Sequence, residues 1–207
     1  YVLASAKNYL KFLKQDAVLF TQGDLDTYPL IYLQEKFNYR KDVTVLNSGQ
    51  LQSPAYLNYY TKKSRSVFPR EYDNFYCCKQ SDYLNVSNSD NFSQTPINEF
   101  WEKLQEIGNN CDDTKLPEKL FNKVEFYVSS LNPVNIKLPE LMYLYDVSQL
   151  VIIINNLKRR AVYFANTVQS DLYKSLYPYT NTTGLVDEFL QDSRVDKYPI
   201  NTFIEIT

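Results

Sequence analysis

The N-terminal quarter of the chain alternates between helix-like and strand-like patterns of apolar positions. Apolar side chains spaced at i, i+3, i+4 and i+7 predict a helix over residues 4–13. The unbroken apolar run at 17–21 predicts a strand that is buried on both faces, as in a parallel sheet. A second apolar run at 43–46 predicts another strand, and a helix-sized segment separates the two. The order strand, helix, strand predicts a parallel crossover.

The segment between these two strands carries signals that start and stop a helix. Asp26 or Thr27 can accept hydrogen bonds from the free N–H groups of a helix that begins there. Pro29 then falls in the first turn, where its missing N–H group costs little. Asn38 is a common residue at a helix end. The predicted core stripe of this helix consists of Leu30, Leu33 and Phe37.

The rest of the chain continues the alternation of helices and strands. Helices are predicted over 95–107 with Thr95 as the cap, over 147–157 with Asp146 as the cap, and over 170–176. Strands are predicted at 124–128, 135–138, 161–165, 184–190 and 203–206, with a turn at Asn132-Pro133 and an exposed loop at 81–94. The pattern predicts an α/β fold with a mainly parallel central sheet, flanking helices and antiparallel edge strands. We expect a single domain over residues 1–207, with a variable middle region at about 65–145.

Composition narrows the possible chemistry. The 207 residues include no histidine, so the usual general base near neutral pH and the commonest metal ligand are both missing. The net charge of −2 gives no reason to expect binding to nucleic acid or to an anionic membrane surface. Cys77, Cys78 and Cys111 lack the spacing of a zinc site. The 19 tyrosines fit either an aromatic surface for sugars or the codon bias of an AT-rich genome. We expect no cofactor and no metal site.

Polar residues follow three of the predicted strands at the points where those strands end. In a parallel sheet the loops after the strands share one edge, and α/β proteins commonly bind ligands there. The strand at 161–165 contributes to the same edge if it lies parallel beside the strand at 17–21. The candidate ligand-binding residues are Asp24, Asp26, Thr27, Asn47, Asn166 and Thr167.

The pair Asp24 and Asp26 has two further interpretations. An Asp-x-Asp pair after a buried strand resembles the nucleophile motif of haloacid-dehalogenase-type phosphatases, which work with Mg²⁺. Those enzymes place the first Asp directly at the strand end, whereas here Thr21-Gln22-Gly23 intervene, and bulky Tyr28 follows Thr27, so the spacing disfavours a phosphatase. In the plainer interpretation Asp26 or Thr27 caps the helix, and Asp24 stabilises the turn.

Two longer segments resemble a known family. DAVLFTQGDLDTYPLIYLQE at 16–35 is followed by RKDVTVLN at 40–47, and NNLKRRAVYFANTV at 155–168 is followed by YPY at 177–179 and GLV at 184–186. Both look like the soluble C-terminal region of the DUF2723 membrane proteins of Bacteroidetes, which include protein O-mannosyltransferase-like enzymes. Members carry a loop similar to Gly-Asp-Asn-Asp-Thr-Phe-Pro-Leu. This chain departs from the family at Leu157 and Ala161, where Trp and Pro are usual.

The resemblance implies an accessory domain rather than a complete enzyme. Catalysis in that family is expected in its membrane part, so this domain would lie on the extracytoplasmic, periplasmic side, tethered to the membrane in the full-length protein. Its expected partners are the membrane-embedded part of the same protein or another membrane protein, together with a glycan or an acceptor polypeptide. Two alternatives stay open, a free-standing carbohydrate-binding module and an Asp-dependent metal hydrolase.

Overall fold

The α/β architecture predicted from the sequence is confirmed. A computed structural model describes residues 2–64, 66–68, 83–85, 95–96, 102, 123–129, 132–139, 141–157 and 159–189. The main sheet has five strands, and their order across the sheet is β2 (Thr44–Asn47), β1 (Val18–Thr21), β8 (Val162–Ala165), β10 (Val186–Phe189) and β9 (Thr180–Thr183). Strand β1 is parallel to both β2 and β8, whereas β10 is antiparallel to β8 and β9 at the far edge. One smaller sheet pairs β3 (Tyr83–Asn85) with β7 (Leu141–Tyr143), and another has the order β4 (Thr95–Pro96), β5 (Lys123–Ser129) and β6 (Asn132–Lys137).

The first half of the chain begins with a helix–strand–helix–strand unit. Its elements are α1 (Val2–Lys11), β1 (Val18–Thr21), α2 (Asp24–Phe37), β2 (Thr44–Asn47), a 3₁₀ turn (Ser48–Gln52) and α3 (Pro54–Lys63). Strands β3 (Tyr83–Asn85) and β4 (Thr95–Pro96) follow. The predicted stripe of α1 is confirmed, because Ala6, Tyr9, Leu10 and Leu13 are all buried.

The second half contains the remaining strands and two helices. They are β5 (Lys123–Ser129), β6 (Asn132–Lys137), β7 (Leu141–Tyr143), α4 (Leu144–Asn156), β8 (Val162–Ala165), α5 (Asp171–Leu176), a 3₁₀ turn (Tyr177–Tyr179), β9 (Thr180–Thr183) and β10 (Val186–Phe189). The predicted helix at 170–176 is present as α5, and Ser170 is its N-cap, since its hydroxyl accepts the Tyr173 N–H at 3.0 Å.

Helix α2 begins earlier than its sequence signals predict. Its first residue is Asp24 and its N-cap is Gly23, so neither Asp26 nor Thr27 is the cap, and Pro29 lies past the first turn. The stop at Asn38 is correct, because that residue adopts the left-handed conformation with φ 53°. The predicted core stripe was partly wrong. Leu30 and Leu33 are buried, but Phe37 is largely exposed.

Several other boundaries differ from the prediction. Thr95 and Pro96 form a short strand parallel to β5 instead of starting a helix, although Glu102 is helical. The Asn132-Pro133 turn is the start of β6, and part of the predicted loop at 81–94 forms β3. Helix α4 starts at Leu144, so Asp146 lies in its first turn and is not its cap. The rest of the 95–107 helix, the three cysteines and the strand at 203–206 lie outside the described residues.

Helices cover both faces of the main sheet, and the core lies between them. On one face the Thr21 hydroxyl meets Thr27 of α2, and the Tyr163 hydroxyl accepts the Lys14 N–H just after α1. On the other face the rings of Phe20 and Phe164 stack 5.4 Å apart. Tyr173 of α5 then packs on Phe164. All of β1 is fully buried, so the sheet is anchored at its centre.

Arg40 fastens the N-terminal helix to the turn before β2. Its guanidinium donates to the Leu10 carbonyl at 2.7 Å and to the Lys14 carbonyl at 3.0 Å, and it also binds both carboxylate oxygens of Asp42. These hydrogen bonds hold the pKa of Asp42 below its usual range. The flat fork of guanidinium donors allows one side chain to reach two carbonyls and a carboxylate together.

Replacing Arg40 with lysine is therefore expected to destabilise the fold. An ammonium group cannot reproduce the bidentate contact while also reaching both carbonyls, so Arg40→Lys should lower the free energy of unfolding by about 1–3 kcal/mol. Urea denaturation followed by far-UV circular dichroism measures this change. Lys41→Gln is the control, because Lys41 makes only an exposed 3.8 Å ion pair with Glu35. Equal stability of Arg40→Lys and the wild type would contradict the role given to the guanidinium.

Candidate functional site

The candidate site lies at the edge of the main sheet where β1 and β8 end. The parallel pairing on which the sequence prediction depended is present, with Val18 opposite Val162 and Phe20 opposite Phe164. From β1 the chain passes through α2 to β2 on one side, and from β8 it passes through α5 to the antiparallel strands on the other. In α/β folds, ligands commonly bind between the two loops at such a reversal of direction. We call the region between these two loops the β1–β8 crevice.

A glycine and two threonines shape the loop after β1. Gly23 has φ 82° and ψ 170°, a combination that is essentially restricted to glycine. The Thr27 hydroxyl donates to the Gly23 carbonyl at 2.7 Å and shares a 2.7 Å hydrogen bond with the Thr21 hydroxyl. Thr27 is buried and its hydroxyl is already occupied, so its role in the structure is to hold the loop.

The loop after β2 is held by Asn47. The Asn47 side chain accepts the Gly49 N–H at 3.0 Å, and its backbone N–H donates to the Tyr56 hydroxyl at 2.8 Å. The side chain is buried and faces its own 3₁₀ turn. The side-chain oxygen and the backbone N–H of Asn47 are therefore both occupied, and they support the edge of the sheet.

Two glutamines connect the loops at this edge. The Gln22 side chain accepts the Gln169 N–H at 2.7 Å, which joins the loops after β1 and β8 across 147 residues of sequence. Gln149 of α4 is fully buried and donates to the Ser48 hydroxyl at 2.6 Å. These two contacts make the edge a cross-linked unit rather than a set of independent loops.

Asp26, Asn166 and Thr167 meet the crevice together with Tyr9. The Tyr9 hydroxyl donates to Asn166 Oδ1 at 2.8 Å. Burial raises the pKa of Tyr9, and the nearby Asp26 carboxylate raises it further. Asp26 Oδ2 and Thr167 Oγ1 are inaccessible to solvent and have no hydrogen-bond partner. A buried polar atom without a partner costs free energy, so each of these two oxygens would be stabilised by a hydrogen-bond donor.

The six predicted site residues thus divide into three groups. Asp26 lies in the first turn of α2 while Asn166 and Thr167 lie in the loop after β8, Thr27 and Asn47 hold the loops after β1 and β2, and Asp24 is exposed at the first position of α2. Their role in ligand binding stays a prediction. Tyr9 and Gln149 were not predicted as site residues. Tyr9 is one of the regularly spaced apolar residues of α1, so nothing in the sequence marks it as a site residue. Gln149 is a polar residue directly before the apolar run at 150–154, and this position is a signal that could have identified it.

A second buried carboxyl group lies in the first turn of α4. Asp146 is almost fully buried, its Oδ2 accepts the Tyr143 N–H at 3.1 Å, and its Oδ1 has no partner. Burial raises the pKa of Asp146 to about 7, and the negative charge of Asp171 adds to the rise. The carboxyl group therefore changes its protonation state close to neutral pH.

The described residues do not assemble a metal centre. Among them, no group of three or more Cys, Asp and Glu side chains is arranged to hold a metal ion. In the same ranges, no helix is both long enough and apolar enough to cross a bilayer.

Comparison with known families gives one match. The model of the family described as TMEM260-associated domain 2 matches residues 2–135. The chain belongs to this family. A search of curated proteins and a search of solved structures each found no match. The TMEM260-associated domain 2 family is linked to O-mannosyltransferase-like proteins, and membership indicates an accessory domain of a larger protein.

The extent of the match divides the candidate site. Asp24, Asp26, Thr27 and Asn47 fall inside the residues that the TMEM260-associated domain 2 model covers. Asn166 and Thr167 follow β8 and lie beyond it. The crevice of this chain therefore combines one loop from the matched region with one loop from outside it.

The conformation of Gly23 leads to a first prediction for the site. Alanine at this position has space for its Cβ atom but must adopt a backbone conformation that it strongly disfavours. Gly23→Ala should lower the free energy of unfolding by about 1–3 kcal/mol. Gly49→Ala is a matched control, because its Cβ would lie 3.5 Å from Asn47 Oδ1, an ordinary contact. Thermal unfolding of both variants checks this, and a Gly23→Ala protein as stable as Gly49→Ala would refute it.

Asp146 leads to a prediction about pH. Its usual pKa is 3.8 and its folded-state pKa is about 7, so between these values the folded protein holds a proton that the unfolded chain releases. This group therefore lowers stability as pH rises from about 4 to about 7. In Asp146→Asn that contribution is absent, so the variant should gain stability relative to the wild type across the same interval.

The measurement is the difference in unfolding free energy between Asp146→Asn and the wild type at a series of pH values. A constant difference between Asp146→Asn and the wild type from pH 4 to pH 8 would contradict a raised pKa.

Proposed function

We propose that this domain is the extracytoplasmic accessory domain of an O-mannosyltransferase-like membrane protein and binds its ligand in the β1–β8 crevice. In this proposal the larger protein is related to the DUF2723 family, and the domain lies on the periplasmic side, tethered to the membrane. Its partners are the membrane-embedded part of the same protein or another membrane protein. The ligand is the glycan or the acceptor polypeptide, and sugar transfer takes place elsewhere in the larger protein.

The observation that carries the proposal is that Asp26 Oδ2, near the start of α2, and Thr167 Oγ1, in the loop after β8, are both buried without a hydrogen-bond partner. A carboxylate accepts strongly from hydroxyl and amide donors, and a threonine hydroxyl can donate or accept. Sugar hydroxyls and peptide N–H groups both fit this set. The hydrogen bond from the Tyr9 hydroxyl holds the side chain of Asn166, the residue before Thr167.

The two alternative functions have less support. The metal hydrolase would need Asp24 and Asp26 to act together, yet Asp24 is exposed whereas Asp26 turns one oxygen into the interior. The carbohydrate-binding module would need a flat aromatic platform. The exposed rings of Tyr32 and Phe37 instead stand edge to face, with 76° between their planes.

A titration of the isotope-labelled chain tests the proposal. The ligands are methyl α-mannopyranoside, an O-mannosylated peptide and the same peptide without sugar, and the readout is the shift of backbone amide signals. We expect the largest shifts in the loops after β1 and β8. Asp26→Asn should weaken binding by about tenfold to a hundredfold, since a hydrogen bond to a charged group contributes about 1.5–3 kcal/mol.

Asp24→Asn is the matched control for this titration. It removes the same charge two residues away, from an exposed carboxylate, and should leave the affinity close to that of the wild type. Binding that is lost in Tyr28→Ala but kept in Asp26→Asn would favour the carbohydrate-binding module instead. Sugar transfer catalysed by the purified chain alone would overturn the proposal of an accessory domain.

A further inference from the structure

The outer surfaces of α2 and α3 form a continuous aromatic face that the described residues leave open to solvent. Leu25 is 91% exposed, and the four aromatic side chains on this face are between 49% and 58% exposed. The two helices are neighbours, because Lys63 of α3 forms a 2.9 Å ion pair with Glu35 of α2. We define the aromatic face as Leu25, Tyr28, Tyr32, Phe37 and Tyr59. Exposed aromatic residues clustered on two neighbouring helices indicate a contact surface.

Three lysine side chains lie at one end of this face. Lys36 and Lys62 are exposed on α2 and α3, and the Lys63 ammonium lies 5.5 Å from the centre of the Tyr59 ring. The nearby Glu35 is offset by Lys63 at 2.9 Å and by Lys41 at 3.8 Å. The net charge of −2 for the whole chain therefore conceals a locally cationic surface. The exposed acid of α2 outside this group is Asp24, at the opposite end of the helix from Lys36.

This combination of residues fits a lipid surface better than a protein or a glycan. Lysine is depleted from protein–protein interfaces, whereas tyrosine together with lysine is typical of the headgroup region of a bilayer. The surface is the outside of two helices rather than a groove. The planes of the Tyr59 and Tyr60 rings are 85° apart, and those of Tyr32 and Phe37 are 76° apart. These rings therefore do not form a flat platform for stacking a sugar.

We propose that the aromatic face docks on a lipid bilayer that contains anionic headgroups. The aromatic rings and Leu25 enter the headgroup layer, and Lys36 and Lys62 lie against the phosphates. Attraction from a single lysine near an anionic surface changes binding by about fivefold, so two lysines with a modest apolar contact give reversible attachment. This inference goes beyond ligand binding in the β1–β8 crevice and uses none of its residues.

Sedimentation of the 207-residue chain with vesicles tests the inference. One set of vesicles contains phosphatidylcholine mixed with phosphatidylglycerol, and the other contains phosphatidylcholine alone. We expect binding to the mixed vesicles, much weaker binding to the neutral ones, and release as salt is raised, because salt screens the lysines. Absence of binding to both sets would overturn the proposal.

Two double variants locate the contact. Tyr28→Ser with Tyr32→Ser should lower partitioning onto the mixed vesicles by about tenfold, because it removes the apolar part of the contact. Lys36→Glu with Lys62→Glu should lower it by about tenfold or more. Circular dichroism confirms that each variant is folded. All four side chains are exposed, so little loss of stability is expected.

Matched controls come from the opposite side of the sheet. Tyr177→Ser removes a similarly exposed tyrosine next to β9, and Lys137→Glu with Lys174→Glu makes the same change of net charge away from the face. These controls should bind as the wild type does. Equal losses in controls and face variants would overturn the proposal, and so would binding of the face to a protein partner or a glycan without lipid.

Failure with vesicles leaves the crevice titration unaffected, so the two proposals can be tested separately.

Discussion

Strand β1 is buried between two parallel neighbours, and this burial positions the strands and loops around it. Every side chain of Val18–Thr21 is inaccessible, and the strand pairs with β2 on one side and β8 on the other. Parallel pairing brings the carboxyl ends of all three strands to one edge. Gln22 and Gln169 lie far apart in sequence and meet only because of this arrangement. Without the β1–β8 pairing, Asp26 and Thr167 would have no common crevice.

The sequence predicts the parts of this fold that depend on local patterns. The runs at 17–21 and 161–165 are apolar enough to identify buried strands, and Asn38 ends α2 as its conformation requires. Predictions failed where tertiary contacts decide the outcome. Asp26 and Thr27 have the chemistry of helix caps, but the conformation of Gly23 starts α2 earlier and leaves their side chains for other contacts. Thr95 and Pro96 have the signature of a helix start, yet pairing with β5 makes them a strand.

The candidate site could be predicted only in part, for a related reason. Loop position after a strand identifies Asp26, Asn166 and Thr167, because that position is set by topology. Burial and hydrogen bonding separate these three from Thr27 and Asn47, whose polar groups are occupied by the backbone of their own loops. Tyr9 joins the site from a helix that ends before β1, and a core stripe gives no sign of such a long-range contact. Charge also depends on folding, since a nearly neutral chain places lysines beside one aromatic face.

We propose that a ligand binds in the β1–β8 crevice and pairs two oxygens that have no hydrogen-bond partner in the free chain. The most direct measurement is a crystal structure of the chain grown with an O-mannosylated peptide. Our account predicts ligand density in the crevice, hydrogen-bonded to Asp26 Oδ2 and Thr167 Oγ1, with the Gln22–Gln169 contact intact. Ligand density on the aromatic face of α2 and α3, or an empty crevice in which both oxygens are paired with protein groups, would contradict it.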